Sequence, residues 1–305
     1  MLAGKYNFQC VFKRPALLPP YKGSTFRGAF GHALKHIACA VKKDDCHTCL
    51  LATRCVYAKA MEPSDLKGPK TGHPYIIEPP LSQRREYSEE DSFDFNIILL
   101  GDINEYFPFF VYAVERMGEI GVGRRIDGIR GKFEIQDIIA GGKSIYDTMN
   151  KNLSTSYRPE DIGLQVQEES GSGELRIGFI TPLRFKSGNS ISTNLDFTIL
   201  TRCMLRRISN MMNTYGQGEP DIDYQGLLQR SEAVITTSEQ LYWQSWSRYS
   251  NRQNASTSLS GIMGEISFRG KLGEFLPLIE LAWFLHVGKQ CTFGLGQFKY
   301  DWHAD

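Results

Sequence analysis

The stretch FLHVGKQCTFGLGQFKYDW, residues 284–302, contains the end of an apolar helix, a glycine-bearing turn and an alternating strand. Upstream, Leu278, Ile279, Leu281, Ala282 and Leu285 give the helix its apolar character. Gly288 and Lys289 end it, a four-residue spacer follows, and Gly294-Leu295-Gly296 leads into the strand. Phe298, Tyr300 and Trp302 fall on one face of that strand, and Gln297, Lys299 and Asp301 on the other, the period-two signature of a half-buried strand. Walker and dinucleotide-binding loops run the other way, strand before glycines before helix, so both are excluded. Two readings stand. The backbone N–H groups of Gly288, Gly294 and Gly296 cradle a phosphate with Lys289 supplying charge, or the glycines simply turn a helix into a strand.

Working back from this end, the same order recurs. Residues 174–186 read as a strand, although Pro182 interrupts it, and 194–214 as a long helix with Phe197, Leu200, Met204, Ile208 and Met211 as its buried stripe. Strands at 233–249 and 264–270 precede the terminal helix and strand. The front of the chain repeats the pattern with a strand at 5–13 and a helix from Ser24, either Ser24 or Thr25 serving as its cap. The expected stripe of that helix is Phe26, Phe30, Ala33, Leu34, Ile37 and Val41. Strands at 74–80 and 92–100, a helix at 106–117, a glycine–arginine run and a strand at 132–139 complete the half. The order is βαββαβ twice. The expected fold is therefore α+β, two tandem ferredoxin-like (RRM-like) domains with an inserted Cys-rich loop. The boundaries fall at 1–140 and 171–305, with 141–170 as a polar linker.

Composition removes several classes. With 35 Lys+Arg against 34 Asp+Glu the formal charge is +1, so any nucleic-acid surface must be local. There is no run of eighteen apolar residues to cross a membrane, and MLAGKYNFQC lacks the apolar core of a signal peptide. Seven cysteines, four of them bunched, suit a reducing compartment, and the expected location is the cytoplasm.

The bunched thiols are Cys39, Cys46, Cys49 and Cys55, two of them at the C-x2-C spacing. That set suits a structural zinc ion, with an iron–sulfur cluster as the runner-up and quiet packing of reduced thiols as the third reading. Just before them, His32 and His36 share one side of the first helix, with Lys35 beside them and Arg27 close by. Histidines four apart also leave open a shared metal. His286 closes the apolar terminal helix, where a histidine commonly bonds the last carbonyls. Aromatics interleave with arginines at Tyr242, Trp243, Trp246, Arg248, Tyr249 and Arg252, a pattern for stacking unpaired bases or, on one face, for core. Arg124, Arg125 and Arg130 form a second basic group.

Four stretches together resemble the RAMP superfamily of CRISPR systems, and within it the Cas6 endoribonucleases that process precursor crRNA. They are Tyr21 to His32 (YKGSTFRGAFGH), the cysteine cluster ending Cys55-Val56-Tyr57-Ala58, Trp246 to Gln253 with Ser260 to Glu265, and His286 to Gly296. The resemblance implies cleavage of CRISPR repeat RNA without a catalytic metal or other cofactor, the 2′-hydroxyl attacking its own phosphate to leave 2′,3′-cyclic phosphate and 5′-hydroxyl ends. By resemblance the base comes from the first helix: His36 first and His32 next, with Tyr21 and Lys42 as partners. The implied RNA contacts are Lys22, Arg27, Lys35, Arg124, Arg125, Arg248, Arg252 and the Gly288, Lys289, Gly294, Gly296 loop. The alternative is a RAMP subunit that holds crRNA in a CRISPR effector complex without cutting it.

Overall fold

The computed structural model describes residues 1–42, 45–68, 71–154, 157–164, 171–187, 190–191, 193–250 and 255–305. The chain divides into two units, Met1–Asp161 with Thr214–Gly216, and Ile162–Asn213 with Gln217–Asp305. Both are mixed α+β with antiparallel sheets.

In the first unit, β1 (Leu2–Phe12), α1 (Gly23–Ala38), α2 (Val56–Met61), β2 (Tyr75–Glu78) and β3 (Ser92–Leu100) are followed by α3 (Phe107–Ile120), β4 (Val122–Ile126), β5 (Ile129–Gly131) and β6 (Phe133–Ala140). The main sheet runs β2-β3-β1-β6, every pair antiparallel, the order expected of a βαββαβ unit. Alternation puts Tyr6, Phe8 and Phe12 of β1 on the core face. Phe8 stacks on its cross-strand partner Phe95 at 5.2 Å. Phe26 of α1 meets Phe95 edge-on at 5.1 Å, and Phe30 packs on Phe110 of α3 at 5.3 Å. Each buried phenyl ring contributes roughly 2–3 kcal/mol of apolar transfer, which holds both helices to one side of the sheet. The glycine–arginine run becomes the β4–β5 hairpin, joined by the short strands Ala16–Leu17 and Glu86–Tyr87 in a separate small sheet.

Three expectations for this unit change. The helix starts at Gly23 and its N-cap is Lys22, so neither Ser24 nor Thr25 caps it. The stripe stops at Leu34: Ile37 is 36% exposed, and Val41, 44% exposed, lies beyond the helix end. The third change is the boundary, because much of 141–161 belongs to the first unit rather than to a linker. Glu160 and Asp161 pair with β1, Lys143–Ser144 pairs with β6, and Ile145 and Tyr146 are buried in the core.

The second unit contains β7 (Ser172–Leu183), α4 (Phe197–Tyr215), α5 (Tyr224–Ser231), β8 (Ile235–Ser250), β9 (Ala255–Lys271), α6 (Leu276–Leu285) and β10 (Phe298–Ala304). Its sheet runs β8-β9-β7-β10, again antiparallel throughout and in the same relative order as the first. All five expected stripe residues of α4 are buried. Pro182 does not end β7; it sits where the pairing with β9 shifts register between Phe179 and Leu183. β9 begins at Ala255, nine residues before the expected strand at 264–270. β8 and β9 stay paired from Ile235↔Arg269 out to Ser250↔Ala255, whereas β7 accompanies β9 only as far as Ile262. The outer part of the hairpin is therefore a two-stranded arm.

Candidate functional site

The first helix carries the chemistry-bearing residues because its apolar positions are confined to one stripe, leaving the opposite face to water. His32 and His36 are both exposed and stand one helical turn apart. Lys35 is half-buried between them, its ammonium 5.8 Å from the centre of the Tyr57 ring. Lys42 is exposed beyond the helix end with a left-handed φ of 52°. Tyr57 had no signal beyond its place after Cys55 in the resemblance, yet it is the aromatic side chain that α2 presents to this group.

Tyr21 does not join them. Fifteen residues of helix at about 1.5 Å each separate it from His36, roughly 22 Å, far beyond the span of one phosphodiester. Tyr21 is also only 9% exposed. The expectation of a His36–His32–Tyr21–Lys42 constellation therefore loses Tyr21, and α1 itself carries the two histidines with Lys35.

Lys22 and Arg27 also turn inward. Lys22 is fully buried, its ammonium donating to the carbonyls of Pro20, at 3.3 Å, and Ser82. Burial without a carboxylate partner pushes its pKa down to about 8. A phosphate cannot reach that ammonium, so its expected RNA contact is corrected to a structural role. Arg27 is half-buried and bonds the hydroxyl of the fully buried Tyr75, whose pKa burial raises. Arg124 and Arg125, by contrast, are exposed on β4, which packs against α1, and no carboxylate pairs with either among the described residues. Arg130 donates from Nη1 to the carbonyl of Gly123, stiffening the same hairpin.

The glycine loop of the second unit is closed on itself. Gly294 and Gly296 are buried, and their N–H groups donate to the carbonyls of Cys291 at 2.7 Å and Pro182 at 3.1 Å. The Lys289 N–H donates to the Arg184 carbonyl at 2.7 Å. Gly296, at φ +74°, lies against the backbone of Val287, and Gly288, at φ +90°, against that of Arg184. A side chain at either position would overlap a carbonyl oxygen. The phosphate-cradle expectation thus gives way to its alternative for Gly294 and Gly296: these glycines permit close backbone approach. Only Lys289 of the loop presents an exposed charge.

His286 is also internal. It is fully buried at φ 58°, and its Nδ1 donates to the Leu295 carbonyl at 3.1 Å, across the loop rather than back to the helix end. Thr181 completes the latch, its hydroxyl donating to Gly294 O at 2.7 Å and accepting from Gln297 N at 2.9 Å.

At the foot of the arm, opposite Met263 and Ile262, Tyr242 and Trp243 are 54% and 42% exposed, and on the arm itself Trp246 is half-buried. Arg248 is placed on β8 at the register Arg248↔Thr257. Arg252 lies outside the described residues.

The four cysteines are free thiols, each partly buried. Among the described residues, no group of three or more His, Cys, Asp or Glu side chains converges on one point as a finished metal cage.

Two successive units share one strand order, and the first carries an exposed histidine pair on its opening helix. Residues 1–159 match a family described as an N-terminal domain, and residues 177–298 match CRISPR-associated endoribonuclease Cas6. An uncharacterized protein of Archaeoglobus fulgidus is 24% identical over 297 residues, covering 92% of each chain. Cas6 of Thermus thermophilus has the same fold at 12% identity, with a TM-score of 0.58 over 98% of each chain. A RAMP protein described as binding different RNA substrates has a TM-score of 0.50 at 12% identity, over 98% of this chain and 99% of that one. The chain belongs to the family of that N-terminal domain, and its second unit carries the match to Cas6.

Proposed function

We propose that this chain binds CRISPR repeat RNA and cuts it by internal transesterification. An imidazole of the α1 pair, His36 before His32, removes the proton of a ribose 2′-hydroxyl. The 2′-oxygen bonds to the adjacent phosphorus, the bond from phosphorus to the 5′-oxygen breaks, and that oxygen takes up a proton as it leaves. The products are a 2′,3′-cyclic phosphate and a 5′-hydroxyl. Histidine suits the first step because its ordinary pKa lies near neutrality, and Lys35 and Lys42 supply positive charge for the phosphorane.

The carrying observation is the pair of exposed imidazoles one turn apart beside Lys35, in a chain whose second unit matches Cas6. Exposed Arg124 and Arg125, Lys289, and the exposed rings of Tyr242 and Trp243 on β8 supply phosphate and base contacts. The test is incubation of purified protein with its cognate repeat RNA in excess EDTA, followed by end-group mapping. Cyclic phosphate ends are expected; intact RNA, or cutting only after magnesium is restored, refutes the mechanism.

A second reading has its own support. Neither imidazole has a bonding partner among the described residues, so neither is held in a fixed orientation as a tuned base commonly is. In that reading the chain is a RAMP subunit that holds crRNA in an effector complex. Tight RNA binding with no product at long times selects it.

A further inference from the structure

The connection between α1 and α2, residues 39–55, has an unusual inside. Among its described residues only Cys39, Cys46, Cys49, Ala52 and Cys55 turn away from solvent. Its large apolar side chains point the other way: Leu50 is 98% exposed, Leu51 47% and Val41 44%. The ordering entropy of such a segment, on the order of 1 kcal/mol per residue or more, has no apolar burial to offset it. What faces inward instead is four thiols.

They are also grouped. Cys39 follows directly on α1, its N–H bonded to Lys35 O at 3.0 Å. Cys55 is the residue before α2, and its Sγ lies 3.9 Å from Ala38 O, so the two ends of the connection meet. Cys46 and Cys49 form a knuckle closed by Cys49 N to Cys46 O at 3.2 Å. The Cys46 thiol lies within electrostatic reach of Cys39, Cys55 and the Lys35 ammonium. Two other donors of the loop are turned outward: Asp45 accepts from His47 N at 2.9 Å and from the Thr48 hydroxyl at 3.2 Å, and His47 is exposed.

We propose that Cys39, Cys46, Cys49 and Cys55 bind one zinc ion as a closed structural clip. Four S–H bonds give way to four Zn–S bonds of about 2.3 Å, and four protons go to solvent with no change in oxidation state. The tetrathiolate carries two net negative charges, and Lys35 stands beside it to offset one. Among the described residues no three donors already converge, so binding draws the four thiols together on the ion. The clip then fixes the end of α1 that carries Lys35 and His36, and the start of α2 that carries Tyr57. This inference rests on residues 39–55 and is independent of whether RNA is cut.

The experiment is metal analysis of the full chain purified under reducing conditions, refilled with zinc and dialysed. About one equivalent of zinc per chain is expected, falling roughly tenfold or more in Cys46→Ser/Cys49→Ser and unchanged in Cys203→Ser. Because the double variant could fail to fold for other reasons, thiol reactivity of the unaltered chain is followed as well. A strong chelator should release zinc and expose four further thiols to Ellman's reagent, with faster hydrogen exchange over residues 39–61. A chain without zinc after refilling, a double variant that keeps its zinc, or thiols equally reactive before and after chelation overturns the proposal. Bound iron with acid-labile sulfide in place of zinc overturns it too.

Discussion

Gly296→Ala separates the two readings of the terminal loop. At φ +74° an alanine pays the left-handed backbone penalty, about 1–2 kcal/mol. Its methyl group would also overlap the carbonyl oxygen of Val287, so the loop must move. That movement strains two hydrogen bonds, Val287 N to Gly296 O at 3.0 Å and Gly296 N to Pro182 O at 3.1 Å, each contributing about 1 kcal/mol. Loss of about 3–4 kcal/mol follows. Gly218→Ala is the control: its φ is +127°, but nothing stands in the way of a methyl group, so only the backbone penalty applies. All four tryptophans (Trp243, Trp246, Trp283 and Trp302) lie in the second unit, so their fluorescence in a urea titration reports that unit alone. With a slope of about 2 kcal/mol per molar, Gly296→Ala should lower the midpoint by about 1.5–2 M and Gly218→Ala by less than about 1 M. Equal shifts refute the close-approach argument. So does a Gly296→Ala protein of unchanged stability that has lost RNA affinity, which would restore the phosphate cradle.

Replacing both His32 and His36 by Ala should lower cleavage by about 100-fold or more while leaving RNA affinity within about threefold, read by single-turnover cutting and filter binding. Retained cutting removes α1 as the source of the base. Lys22 should make stability depend on pH: its folded pKa of about 8 lies below the unfolded value of about 10.4, so the unfolded state holds the extra proton between them and stability rises with pH across that window. Lys22→Met should flatten that rise, worth up to about 3 kcal/mol, and a slope identical in the variant refutes the buried-ammonium account. Arg124→Ala with Arg125→Ala should weaken RNA binding and reduce the salt-dependence slope by between about 1 and 2, measured from 50 to 300 mM salt; an unchanged slope places those side chains away from phosphate.

Much of the architecture was legible because it rests on local periodicity. Alternation at 5–13 and 92–100, the 3.6-residue stripe of α4 and the order of elements each depend only on residues near in sequence, and they led to two like-ordered units. One site error was legible too: Tyr21 and His36 lie at opposite ends of a helix whose rise per residue is fixed. The end of the α1 stripe was not, since Ile37 and Val41 keep the apolar spacing and only the extent of the neighbouring core leaves them exposed. The tail of the first unit was equally silent, because 141–161 is polar in composition and owes its place to pairing with β1 and β6.

By itself, the sequence determined the element order, the clustered thiols and the imidazole pair on one helical face. Tertiary structure alone decided which polar groups remain available. Lys22, Tyr21 and His286 look like any other site candidates as letters, and the glycines of the terminal loop look like a cradle. Their fate is set by partners far along the chain, Ser82 for Lys22 and Pro182 and Arg184 for the loop. A backbone donor facing a buried carbonyl is no longer free to bind a phosphate, and no local pattern encodes which carbonyl the fold will bring opposite it.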